Sequence, residues 1–295
     1  VHLFPHGVPG KIPAKPAGAG TIEQRGVVSR LKLFLSADIE GVAGVTAWSE
    51  TEFGGKGYER ACRQMTLEVD AACRAALALG WEVVVKDGHG DAENLDIGAL
   101  PRGVEVIRGW RCSPAAMMGG LDESFSAAAC IGYHSPAGSG DSPLAHTMDC
   151  KLLNWIKVNG RLASEFSMNA LWAAAYAVPM VFLSGDRGIC SHAEEYCPGI
   201  VTAATKQGTG ASVWCVHPEE AVEQIAQGMR RALRQPIPPL PLEDSYEMVI
   251  CFREHTSARS ASWYPGAELV DSHTVRIQAK DPREMITARM FMTGC

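Results

Sequence analysis

Asp38 and Glu40 stand two residues apart in the stretch SADIEG, directly after the apolar run LKLFL. Farther along, Asp87 and His89 follow WEVVV, His134 follows AAACIGY, and Asp186 follows MVFLSG. Carboxylates and imidazoles are the donors of oxygen/nitrogen metal sites and of acid/base pairs. In an extended segment residues i and i+2 point the same way, so Asp38 and Glu40 can serve one site. Taken singly, each residue has an ordinary alternative. Asp38 and Asp87 also suit turns or helix caps, Glu40 a solvated loop, His89 the turn DGHG, and His134 a satisfied core position. Taken together, D-x-E, then His, then His, each after an apolar strand, is the pattern that a metal site on a sheet rim requires. Glu165 and His146 extend it. Glu165 opens a helix, where it can turn back to the rim or complement the helix dipole. His146, in SPLAHTMD, lies beside a Gly/Ser/Pro-rich loop, where a histidine suits acid/base work or is simply exposed.

These residues need elements that bring them together. LKLFLSAD, WEVVVKDGHG, VEVIRG, FSAAACIGYHS and MVFLSGD read as strands. Tyr58, Met65, Val69, Cys73 and Leu77 recur at helical spacing, with Gly80 as the stop. LLNWIKVNGRLA reads as a hairpin turning at Asn159-Gly160. Ser164 offers an N-cap for EFSMNALWAAAYA, ended by Val178-Pro179. HPEEAVEQIAQGMRRAL is an amphipathic helix. After the proline-rich QPIPPLPLED come YEMVICFR, HTVRIQA and the helical DPREMITARMFM. The alternation predicts an α/β fold: a three-layer core with a mostly parallel sheet, plus a smaller α+β unit. The expected division is a disordered leader or start-site remnant over 1–30, the α/β metal-binding core over 31–235, and the small C-terminal unit over 236–295. Ligands of open α/β sheets bind beyond the carboxyl ends of the strands, which is where the polar residues fall.

The bulk numbers narrow the class. The chain has 295 residues, 46% of them hydrophobic and 20% charged, which is ordinary globular composition. Its net charge of -6 argues against a nucleic-acid binder and leaves no basic membrane patch. The longest apolar run, Ala170 to Leu183, is too short to span a bilayer and contains Pro179. The 10 cysteines include no CxxC pair, and Cys62, Cys73, Cys130 and Cys251 sit inside helical or strand patterns. That reads as buried thiols in a reducing compartment, the cytoplasm. The leader is rich in Pro and Gly, has no periodicity and lacks a secretory apolar core; read as a disordered segment, it makes His2 and His6 poor ligand candidates. His192, His217, His255 and His273 are set aside, His217 as a cap-region residue at a helix entry.

SADIEGVAGV, KDGHG, GLDESF, IGYHS, LAHTM, NGRLASEFSMNA and WYPGAELVDSHTVRIQAKD, in that order from Leu31 to the C-terminus, resemble the D-aminopeptidase family of zinc peptidases. The resemblance implies two Zn²⁺ ions per chain, with Mn²⁺ or Co²⁺ as substitutes. It implies Asp38, Glu40, His89, His134 and Glu165 as ligands, Asp38 bridging both ions, and His146 as the catalytic histidine. Asn169, one helical turn beyond Glu165, would orient ligands or contact substrate. Family members usually read N-D-S-H where this chain has Lys86 to His89, and carry serine and glycine where it has Ala145 and Ser164. Those departures bear on specificity more than on metal binding. The implied function is removal of the N-terminal residue, for example D-Ala, from short peptides or amides by a metal-activated water. The implied assembly is a ring-like homo-oligomer. Two alternatives stay open. One is a two-metal phosphoesterase, weakened by the lack of a GxxxxGK[ST] loop. The other is a non-catalytic α/β binding protein whose rim acids are caps.

Overall fold

Strand β1 (Lys32–Ala37) sends Leu33 and Leu35 into one core and Phe34 into another, as the two-residue period of a strand requires. The computed structural model describes residues 30–235 and 237–294, so the expected leader, apart from Arg30, lies outside the described residues. Helix α1 (Tyr58–Leu77) covers the first face with Met65, Val69 and Cys73. Strands β2 (Glu82–Asp87), β3 (Val104–Ile107) and β4 (Ala127–Tyr133) follow. The hairpin β5 (Leu153–Val158) and β6 (Arg161–Leu162) turns at Asn159 and Gly160, both at positive φ, 48° and 78°. Helix α2 (Glu165–Ala174) is capped by Ser164, whose side chain accepts the N–H of Ser167.

Strand β7 (Met180–Asp186) runs into α3 (Arg187–Tyr196), with the Asp186 side chain as its cap. Then come β8 (Val201–Thr209), β9 (Ser212–Cys215) and α4 (Pro218–Arg234), which is capped by His217. The C-terminal part holds β10 (Tyr246–Phe252), α5 (His255–Ala261), β11 (Glu268–Leu269), β12 (Thr274–Ala279) and α6 (Pro282–Thr293).

Two sheets result. The larger has the order β3-β2-β1-β4-β7-β8-β9 and is parallel except at β8–β9. α1 and α4 cover one of its faces, α2 and α3 the other. The expected α/β class with a mostly parallel sheet is therefore observed. The smaller sheet, β11-β12-β10-β5-β6, is antiparallel. It takes the 153–162 hairpin out of the 31–235 segment, so the sheets do not follow the expected division at residue 235. α2 lies between the two sheets. Phe166 and Ala170 pack toward the larger sheet, Met168 and Leu171 toward the smaller. Burial on all sides is why this helix lacks a polar face. No helix among the described residues is long and apolar enough to cross a membrane. The nine described cysteines are all free; Cys73 and Cys130 are buried as expected, but Cys62 and Cys251 are only partly so and Cys112 is exposed.

Candidate metal centre

β1, β2 and β4 end side by side, and the chain beyond them converges. The loop after β1 is stapled to β4: Asp38 N–H donates to Ile131 O and Gly41 N–H to Gly132 O, both at 2.8 Å. This approach is too close for any side chain. A Cβ at Gly41 would lie 1.7 Å from Tyr133 O, and one at Gly132, where φ is +76°, 2.2 Å from Asp38 O. The glycine closing SADIEG is thus a packing requirement of the site.

The same loop is held from outside. Lys206, on β8, donates from its buried ammonium to the carbonyls of Glu40, Val42 and Val45. Glu68, buried in α1, accepts the N–H of Ala43 at 2.9 Å. The sequence reading missed both. Glu68 carries a readable signal, an acid on the apolar stripe of α1 beside Met65 and Val69. Lys206 carries none, because β8 is rich in Thr, Ala and Gly and offers no apolar run.

Six predicted residues meet here. Two groups, Asp38 with Glu40 and His89, and His134 with His146 and Glu165, each bring donor atoms within 4.8 Å of one another. Asp38 joins them. Its Oδ1 is 3.2 Å from His89 Nδ1 and its Oδ2 is 3.4 Å from His134 Nε2. Glu40 Oε2 is 3.1 Å from His89 Nδ1, Glu165 Oε2 is 3.3 Å from His134 Nε2, and Glu165 Oε1 is 3.8 Å from His146 Nε2. Asn169 lies apart from the six. Its amide donates to Tyr133 Oη at 2.8 Å, and that hydroxyl is 2.7 Å from Ser36 Oγ, a network beneath the site. Asp87 and Asp186 do not join either. Asp87 accepts the N–H groups of Asn94 and Leu95, and Asp186 those of Ser135 and Ile189.

Each imidazole is oriented by a backbone carbonyl. His89 Nε2–H donates to Thr51 O at 2.7 Å, His134 Nδ1–H to Ser135 O at 3.0 Å, and His146 Nδ1–H to Leu144 O at 2.8 Å. In the neutral form of each ring the other nitrogen carries a lone pair and faces carboxylate oxygens. Lone pair against anion is repulsive, and the carboxylates are dry: Asp38 and Glu40 are each 2% exposed and Glu165 6%. Asp38 Oδ2, Glu40 Oε2 and His134 Nε2 are buried with no hydrogen-bond partner. Such atoms are costly unless a cation satisfies them. The donor set, carboxylate and imidazole without thiolate, fits zinc and other borderline divalent ions.

With protons alone, the cluster redistributes charge. Burial, then Glu40, pushes Asp38 up to about 8. Burial disfavours the His134 cation, but Glu165 outweighs it and lifts the imidazole to about 10. Burial raises Glu165, yet His134 overrides it and holds the carboxyl at about 2. Burial likewise opposes the His89 cation and the Glu40 anion, but their mutual attraction prevails, lifting His89 well above its ordinary value and holding Glu40 well below. Protons so held are those a divalent cation displaces. His146 behaves differently: burial and then His134 lower it. Its ring stacks on His134 at 4.0 Å and meets Trp48 edge-on at 5.1 Å.

An α/β sheet rim carrying two donor groups joined by one aspartate defines a candidate metallohydrolase centre. The D-aminopeptidase family model matches residues 31–291. A D-aminopeptidase of Bacillus subtilis (strain 168) is 32% identical over 268 residues, covering 89% of this chain and 97% of that protein. The solved structure of a zinc-dependent D-aminopeptidase from Bacillus subtilis, described as a self-compartmentalizing protease, matches with a TM-score of 0.84 at 31% identity. That match covers 90% of this chain and 97% of the other. The chain belongs to the D-aminopeptidase family, and is therefore a peptidase.

Proposed function

We propose that the chain removes the N-terminal residue, with a D-residue such as D-Ala favoured, from short peptides or amides, using two zinc ions per chain. Asp38, Glu40, His89, His134 and Glu165 would hold the ions, with Asp38 shared between them. One observation carries the reading: the two oxygens of Asp38 face His89 and His134 separately, at 3.2 and 3.4 Å, so one carboxylate serves both groups. Bound zinc would supply a Lewis acid for the scissile carbonyl and lower the pKa of water from 15.7 to about 7. His146 would move the proton. Its Nδ1–H is engaged by Leu144 O, so Nε2 is the atom free to accept a proton and pass it to the leaving amine. Stacking on His134 fixes the plane in which it acts. Tyr133 and Asn169 would support the site from below without touching the reacting atoms.

The proposal extends to a homo-oligomer, supported by the self-compartmentalizing description of the solved relative, and to a reducing cytoplasm, supported by the free thiols. Two measurements test the function. Metal analysis after mild purification should give about two zinc per chain, and less than about one would favour a binding protein. D-Ala p-nitroanilides and dipeptides, run beside their L-Ala counterparts and a phosphoester panel, should be cleaved faster than the L-Ala forms, with the phosphoesters left intact. The opposite pattern would replace the peptidase with a phosphoesterase.

A further inference from the structure

The donor residues stand between two cavities of different character. One, of about 740 Å³, is walled by Trp110, Met117, Met290 and Phe291 and carries Arg111. The other, of about 950 Å³, is lined by Glu52, Glu59, Asp91, Glu93 and Asp149, against the cations Arg63 and Lys151. Glu40, His89 and His146 line both. The centre therefore has an apolar side with one guanidinium and an acidic side.

The segment carrying Arg111 is built, and Lys86 builds it. Lys86 is fully buried. Its ammonium donates to the carbonyls of Asp87 and Gly109, the latter at 2.9 Å, and lies 4.3 Å from the centre of the Trp110 ring. The indole N–H of Trp110 donates to Gly90 O at 2.8 Å, and Gly109 N–H to Ala92 O at 3.0 Å. Trp110 is thus fixed on two sides beside His89. Arg111 follows, its stem passing Gly119 and its guanidinium Gly120. A Cβ at Gly119 would be 3.6 Å from its Cδ, and one at Gly120 3.7 Å from its Nη1. Among the described residues no carboxylate forms an ion pair with Arg111, which is exposed and lines the cavity. Asp122 feels its charge, but accepts its hydrogen bonds from Ser124. The other charged groups of this cavity are the carboxylates and imidazoles of the centre itself.

We propose that Arg111 binds the C-terminal carboxylate of a short peptide, with Trp110 packed against the residue that bears it. The substrate then lies with its ammonium end toward the acidic cavity. A guanidinium fork matches a carboxylate in a way the surrounding apolar wall cannot. A cavity of about 740 Å³ encloses a small ligand and excludes a folded chain. The inference rests on the peptidase reading above and adds the residues that would read the free C-terminus of such a peptide.

The test compares D-Ala-D-Ala with its C-terminal amide on the zinc-loaded full chain. It adds calorimetric binding of a reduced-peptide-bond analogue as the acid and as the amide. The acid should be preferred by about 10- to 100-fold, in kcat/KM and in affinity. Arg111→Gln should collapse that ratio mainly through KM, and Arg111→Lys should restore part of it. Equal handling of acid and amide by the wild type, or a ratio unmoved by Arg111→Gln, would overturn the proposal. Binding that prefers the acid without any hydrolysis would remove the peptidase reading and leave the carboxylate site standing. Hydrolysis of acid and amide at equal rates would do the reverse.

Discussion

Asp38 is the residue on which the two halves of the centre depend. Among the described residues Glu40 comes within ion-pair distance of His89 only, whereas Asp38 faces His89 through one oxygen and His134 through the other. Removing Asp38 should therefore release metal from both groups, and removing Glu40 from one. Elemental analysis of Asp38→Ala and Glu40→Ala, each dialysed against the same buffer, should show the greater loss in the first. Equal and full retention in both would contradict the shared role. His146→Ala is the contrast, because only its 3.8 Å approach to Glu165 ties it to a carboxylate. It should keep its metal while turnover falls by about 10²- to 10⁴-fold. Trapping of an acyl-imidazole would instead make His146 the nucleophile. At this scale much was legible. Asp38, Glu40, His89 and His134 each follow an apolar strand, and side-chain type plus position collected them, together with Asp87 and Asp186, which turned out to accept backbone N–H groups instead. Glu165 and His146 were weaker signals, a helix-opening acid and a loop histidine separated by a hairpin, and the resemblance then assigned their roles. Lys86, Trp110 and Arg111 gave no signal as a group, because a cation–π contact and a cavity wall leave no periodic trace in sequence.

The element that sets the geometry is the loop from Asp38 to Val45, gripped by Gly132, Lys206 and Glu68. Glu68 makes this grip pH-dependent. Burial pushes its carboxyl up to about 7, against the Ala43 N–H, the Gln64 amide and the Lys206 charge, which pull it down. A carboxyl held above its unfolded value binds its proton more tightly when folded. Its contribution is complete below the unfolded pKa near 4.3 and is lost as pH rises toward 7. Glu68→Gln, which keeps an acceptor for Ala43, should remove that decline. Urea unfolding of both proteins should show a gap on the order of a few kcal/mol opening between about pH 4 and pH 7. Parallel profiles would mean that Glu68 is ionised throughout. The strands β1, β2, β4 and β7 and the helices α1 and α4 were readable from apolar runs and helical spacing. β8 and β9 were not. They pair as VTAATKQGT and SVWC, with few large apolar residues, and the neighbouring β7 and α4 decide their conformation.

For the whole molecule, the two-sheet arrangement explains why the centre has a floor and walls. The larger sheet supplies the donor rim, and α6, packed on the smaller sheet, brings Met290 and Phe291 into the same cavity. No sequence pattern announces this, because β5 leaves the run of parallel strands to pair with β10 more than 80 residues later, and β6 pairs with the other edge of β5. The surface is no more legible. Phe53, Trp214, Trp263 and Phe291 are 89%, 86%, 73% and 66% exposed, yet they are far apart in sequence. Trp214 sits on β9, the outermost strand of the larger sheet, whose only partner among the described residues is β8. An open edge bearing an apolar side chain is a ready seam for a second copy. The proposed homo-oligomer therefore makes a definite demand. Light scattering on the purified full chain should give a multiple of 31.6 kDa. Trp214→Glu should shift the mass downward while metal content stays as in the wild type, since the residue lines neither cavity beside the centre. A wild type that scatters as a 31.6 kDa particle would end the oligomer proposal. An unshifted Trp214→Glu variant would move the seam away from this edge, to the faces that carry Phe53 or Trp263.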